Sequence, residues 1–140
     1  TITFERTLIK SQAFLSIRNV TAIKMLFCFL GKRQMIEKQH HGRDSTWNIE
    51  NNGEIEFTYA ESERLGFSRR AFSDGLSELF ERGFIDVTEP GIGLVKVKTK
   101  FAISERWHDY DPEKSKQLLR PKRKAFIPAA FPKSKKSFVK

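Results

Sequence analysis

Apolar positions change rhythm several times along the chain, and each rhythm predicts its own kind of element. Thr1 to Ser16 mixes apolar and polar residues without a sustained period; Ile2, Phe4, Leu8, Ile9, Phe14 and Leu15 suggest a segment that packs onto the body. From about Arg18 to Lys38, Val20, Ile23, Phe27 and Leu30 recur at three- and four-residue steps, and Met25, Leu26 and Phe29 widen the stripe. That spacing predicts a core helix, which Gly31 is expected to weaken or bend. Gln39 to Gly53 reads as a loop ending in the turn signal Asn51-Asn52-Gly53. The alternating run Glu54-Ile55-Glu56-Phe57 then predicts a strand with Ile55 and Phe57 facing in.

Thr58-Tyr59-Ala60-Glu61 has the form of a capping box, in which Thr58 accepts from the Glu61 amide and the Glu61 carboxylate reaches back. A short helix is expected from Tyr59 to Leu65, stopped by Gly66; Gly66-Phe67-Ser68 forms the turn and Ser68 caps the next helix. That helix should run from Arg69 to Arg82, with Ala71, Phe72, Leu76, Leu79 and Phe80 on one face and Gly83 at its end. A strand from Phe84 to Thr88, a turn over Glu89 to Gly93, and a returning strand follow. In the last, Val95, Val97, Thr99, Phe101 and Ile103 alternate with Lys96, Lys98, Lys100 and Ala102. Two helices joined by a glycine-containing turn and followed by a hairpin make the winged variant of the helix-turn-helix. The expected fold is therefore α+β. A domain over residues 1–110 holds the helix-turn-helix at 58–83 and the wing at 84–103, and an extended basic tail occupies 111–140.

Charge is distributed unevenly. The net charge is +9, yet all 17 acidic residues lie at or before Glu113, and Lys114 to Lys140 holds 10 basic residues and no acid. The first 113 residues thus carry 16 basic groups against 17 acidic ones, a nearly neutral body with a basic arm. Such an arm favours polyanionic partners. Cys28 is the single cysteine, which excludes an intramolecular disulfide and suits a cytoplasmic setting. No apolar run nears the roughly 18 residues needed to span a bilayer. The chain starts at Thr1, which suggests an excerpt of a longer protein.

The second helix of such a motif enters the major groove with its N-terminal end leading. Its outward residues are Arg69, Arg70, Ser73, Asp74, Ser77 and Glu78. Arginine can donate to guanine O6 and N7 in two-pronged fashion, and Ser68, Ser73 and Ser77 are short donors suited to phosphate or base. Lys96, Lys98 and Lys100 share one side of a strand and suit a phosphate backbone. Lys122, Arg123 and Lys124 lie in the tail and would add sequence-independent affinity.

Residues from about Asn51 to Tyr110 resemble the winged helix-turn-helix proteins of bacteria, phages and plasmids. The resemblance rests on the "YAESERLG" helix, the ending "LSELFERGFI" of the second helix and the closing "FAISERW". Replication-initiator winged helices and small transcription regulators share this layout. The resemblance implies DNA contacts by Arg69, Arg70, Ser73 and the wing lysines, and nucleoid or plasmid association. Double-stranded DNA is the expected partner, with neither membrane nor small-molecule substrate; a homodimer and a larger protein complex both remain open.

Other readings stand beside this one. A winged helix can serve as a protein–protein module, with nucleic-acid affinity confined to the basic tail. Lysines along a wing also protect an edge strand from aggregation. Phe126, Phe131 and Phe138 could anchor the tail to the body or to a second subunit. His40, His41, His108 and Cys28 lack metal-ligand spacing, and Gly91-Ile92-Gly93 has no following helix to make a nucleotide motif. No nucleophile–base pattern or spaced carboxylate pair is present, so neither an enzyme nor a cofactor is expected.

Overall fold

Two helices pressed together at a glycine organise the body. The structure is a computed structural model that describes residues 5–39, 42, 45–92 and 98–122. Its elements in chain order are α1 (Arg6–Lys10), α2 (Gln12–Leu15), α3 (Val20–Gly31), β1 (Met35–Gln39), β2 (Ser45–Ile49), β3 (Ile55–Glu56), α4 (Tyr59–Arg64), α5 (Arg69–Glu81), β4 (Ile85–Glu89) and β5 (Lys100–Ile103), then a 3-10 turn (Arg106–Asp109) and α6 (Pro112–Ser115). The chain is α+β with small antiparallel sheets: a β1–β2 pair, and a three-stranded sheet in the order β3-β5-β4.

α3 crosses α5 where Gly75 lacks a side chain. A Cβ there would overlap the Met25 thioether and would lie 3.6 Å from Ala22 Cα, so glycine leaves room for Met25 where the two helices meet. The buried face of α3 is consequently Ala22, Met25, Leu26, Phe29 and Leu30. This corrects the expected stripe at two positions: Val20 and Phe27 are 61% and 40% exposed, while Ala22, outside that stripe, is buried against Gly75 of α5 and Ile23 is half-buried at the core. The helix also ends at Gly31 instead of continuing to Lys38, with Lys32 donating its amide to the Cys28 carbonyl at 3.1 Å.

The expected loop from Gln39 to Gly53 is in large part a hairpin. β1 pairs antiparallel with β2 from Met35 opposite Ile49 to Gln39 opposite Ser45. Asn51 ties its base to the body, donating to the Lys32 carbonyl and accepting from the Gln34 amide, both at 2.9 Å. Asn52 extends the other sheet in place of a strand residue, accepting from the Ile103 amide at 2.7 Å.

Ile55, Phe57 and Phe101 point inward as the alternation required, each at most 3% exposed. Phe29 meets the rings of Phe57 and Phe101 edge-on, both at 5.2 Å between centroids. Tilted and edge-to-face pairs of this kind suit the aromatic quadrupole. Leu8 and Ala13 of the N-terminal helices join the same core. Arg82 joins distant parts of the chain: it donates to Ser16, to the Tyr110 hydroxyl at 2.9 Å and to Glu78 at 3.1 Å.

The tail departs from the expected extended form at its start. Asp111 caps α6 by accepting from the Glu113 amide, Ser115 is buried, and the chain then runs back along α5 as far as Lys122. Residues 123–140 lie outside the described residues.

Candidate nucleic-acid interface

Both helices of the motif are delimited by their own residues. Thr58 Oγ1 accepts from the Glu61 amide at 3.1 Å, starting α4. The reciprocal half of the capping box does not form. The Glu61 carboxylate instead takes the Lys32 ammonium at 2.5 Å, joining the start of α4 to the end of α3. Gly66 ends α4 at φ +93°, with Phe67 donating its amide to the Ser62 carbonyl at 2.9 Å. Ser68 then caps α5 by accepting from Ala71 at 3.1 Å. The paired 6→1 and 5→2 bonds around Gly66 recur at Gly83, so both helices close in the same way.

The first turn of α5 is strongly exposed. Arg70 has a side chain 93% exposed and touches only Asp74, at 3.8 Å. Arg69 is 73% exposed, lies 5.0 Å over the Tyr59 ring and pairs with Glu63 at 3.4 Å. Exposed pairs of this geometry contribute roughly 0–1 kcal/mol and exchange easily for another anion. Ser68 uses its hydroxyl oxygen as the cap acceptor, which leaves the O–H as a donor on an exposed residue.

Ser73 and Ser77 are not open surface. Arg120 donates to Ser73 Oγ at 3.1 Å and to Ser77 Oγ at 3.2 Å. Both hydroxyl oxygens thus accept from Arg120, which leaves their O–H groups as the donors expected to meet DNA. α5 also carries three acids against the two arginines: Asp74 is exposed beside Arg70, whereas Glu78 is held against Arg82 and Glu81 is half-buried. Glu81 is held above the ordinary carboxylate pKa by burial first, then by Glu78, with Arg82 opposing.

The strand lysines are engaged as well. Lys98 pairs with Glu56 at 3.5 Å, both side chains largely exposed. Lys100 pairs with Glu54 at 3.0 Å and lies 3.9 Å from Glu89. The Glu54 hydrogen bond and charge raise its pKa above the usual lysine value. Lys122 is exposed and has no acidic partner among the described residues. Lys96, Arg123 and Lys124 lie outside the described residues.

What the sequence reading missed is Arg120. Nothing local marks it, since its partners are 43 and 47 residues away. Of the other chemistry-bearing residues, His108 stacks on Trp107 at 3.7 Å and Cys28 sits half-buried in α3, its thiol pKa raised chiefly by burial. Among the described residues no group of three or more His, Cys, Asp or Glu could hold a metal, and no helix is long and apolar enough to cross a membrane.

No protein-family model matches the chain, and no curated protein or solved structure matches it.

Proposed function

We propose that the chain binds double-stranded DNA as a winged helix-turn-helix protein. α4 and α5 form the motif, β4 and β5 the wing, and the role is that of a transcription regulator or of a plasmid or phage replication protein. The observation that carries the reading is the first turn of α5, where Arg69 and Arg70 project at 73% and 93% exposure with only weak acidic neighbours. Cations at a helix N-terminus oppose the helix dipole, which offsets the small gain from their exposed pairs with Glu63 and Asp74. Support also comes from β4 and β5, which follow the two helices and pair antiparallel, with Lys98, just before β5, lining the cleft beside α5. On this reading the protein acts in the cytoplasm, catalyses no reaction and needs no cofactor.

A second reading has one observation in its favour. α5 carries three acids against two arginines, and the exposed Asp74 lies beside Arg70, which weakens the attraction of this helix for a polyanion, suits a protein partner and leaves nucleic acid to the tail. Fluorescence polarisation with random-sequence duplex over a salt series separates the two. The winged-helix reading expects Arg69→Ala with Arg70→Ala to weaken binding at least tenfold near 50 mM salt, about 1.4 kcal/mol. If that double variant binds like the wild type while truncation after Lys122 abolishes binding, the tail-only reading replaces it.

A further inference from the structure

The cleft between α5 and β5 holds an unbalanced set of charges. It measures about 210 Å³, its floor includes Phe57, Phe72 and Phe101, and its rim carries Lys98, Arg120 and Lys122. Arg120 is half-buried, and among the described residues its partners are a phenol, two hydroxyls and a carbonyl: the Tyr59 side chain, Ser73 Oγ at 3.1 Å, Ser77 Oγ at 3.2 Å and the Ser73 carbonyl at 3.5 Å. No carboxylate lies within 4.0 Å of it among the described residues. Burial lowers its pKa from the ordinary arginine value, and only Tyr59 opposes that effect. A guanidinium removed from water without an anion is costly, since neutral oxygens return only part of its hydration. Yet two α5 hydroxyls hold it there, at the mouth of a cleft where, among the described residues, Lys122 also lacks an acid and Lys98 pairs with the exposed Glu56 alone.

We propose that this cleft is a seat for one phosphate of a nucleic-acid backbone, held jointly by Arg120, Lys122 and Lys98. The proposal rests on the duplex-binding reading above and assigns the seat a place in it. The strap from α6 to Lys122 adds its own cations to the flank of α5, beside the serines. With Nε and Nη2 of Arg120 turned to the serines, the phosphate would take the Nη1 end of the guanidinium, the two lysines would add point charge, and the aromatic floor would limit competition from water. Ser73 and Ser77 are positioning residues that fix the guanidinium.

Two measurements test it. In the first, the full chain is titrated with inorganic phosphate at constant ionic strength, and the Arg120 Nε–H and the Ser73 and Ser77 amides are followed by NMR. Saturable shifts at these groups, lost in Arg120→Gln, are expected. Shifts that never saturate, or that survive unchanged in Arg120→Gln with Lys122→Gln, overturn the seat. This titration uses wild-type protein first, so it stands even where a variant folds poorly. In the second, duplex affinity is compared at 50 and 200 mM salt. One phosphate lost should shrink the affinity ratio between those salts by about 3.5-fold in Arg120→Gln with Lys122→Gln. No change, or a reduction near 12-fold that signals two separate phosphates, contradicts a shared seat. If phosphate saturates the cleft while duplex binds neither wild type nor variant, the duplex reading fails and the seat remains as a small-anion site.

Discussion

Gly66 and Gly83 end successive helices with nearly the same backbone, φ +93° and φ +87°, in opposite surroundings. A Cβ at Gly66 would meet nothing within 4 Å. At Gly83 it would lie 2.6 Å from both Arg106 C and Trp107 N, which are backbone atoms of the 3-10 turn. Gly66→Ala therefore suffers only the left-handed penalty, about 1–2 kcal/mol. Gly83→Ala suffers the same penalty and must also push the 3-10 turn away. That movement stretches the bond from the Trp107 amide to the Gly83 carbonyl, now 3.1 Å, and disturbs the stacking of Trp107 on Phe84 at 6.2 Å. Overpacking costs about 1–3 kcal/mol and a lost hydrogen bond about 0.5–1.5 kcal/mol. The sum for Gly83→Ala is about 2.5–6.5 kcal/mol, a large part of a typical domain's stability. Urea unfolding followed by tryptophan fluorescence and by circular dichroism measures both variants. Equal losses, or a greater loss at Gly66, would refute the claim that packing against the 3-10 turn, beyond backbone conformation, fixes Gly83.

Two further outcomes follow from charges on α5. Arg82→Met should cost about 3 kcal/mol, because Glu78, whose side chain is only 17% exposed, loses its ion pair; adding Glu78→Gln should restore part of the loss in the same urea assay, and strict additivity would contradict the coupling. Glu81, whose pKa is raised in the fold, favours its protonated form there, so its contribution is present below about pH 4 and is lost as pH rises through its folded pKa. Glu81→Gln should thus be more stable than wild type at pH 7 and lose that advantage by pH 4; a pH-independent difference in melting temperature would count against it.

How much of this was legible in the sequence follows from what each residue faces. Thr58, Gly66, Ser68 and Gly83 act on their own backbone, so their spacing alone located α4 and α5. Ile55, Phe57 and Phe101 alternate because a core lies on one side of the sheet only. β1 and β2 left no such imprint: β1 is exposed throughout and Trp47 of β2 is 62% exposed, so no buried face selects a period-two pattern. The face of α3 was misassigned because Gly75, far along the chain, decides which residues meet α5. Glu61 likewise had two options within reach, its own cap and Lys32, and only the packing of α3 against the motif brings Lys32 to 2.5 Å. For the candidate site, Arg69 and Arg70 were legible as outward cations, whereas the engagement of Ser73, Ser77 and Lys100 depends on partners remote in sequence.

The claim that α5 and its neighbours meet duplex DNA is tested most directly by mapping where DNA lands. Isotope-labelled protein titrated with a short random-sequence duplex should show its largest amide shifts at Ser68 to Asp74 and around Lys98, on the exposed first turn of α5 and the adjoining edge. Shifts confined to residues after Lys122, with the α5 amides unmoved at saturation, would contradict the account.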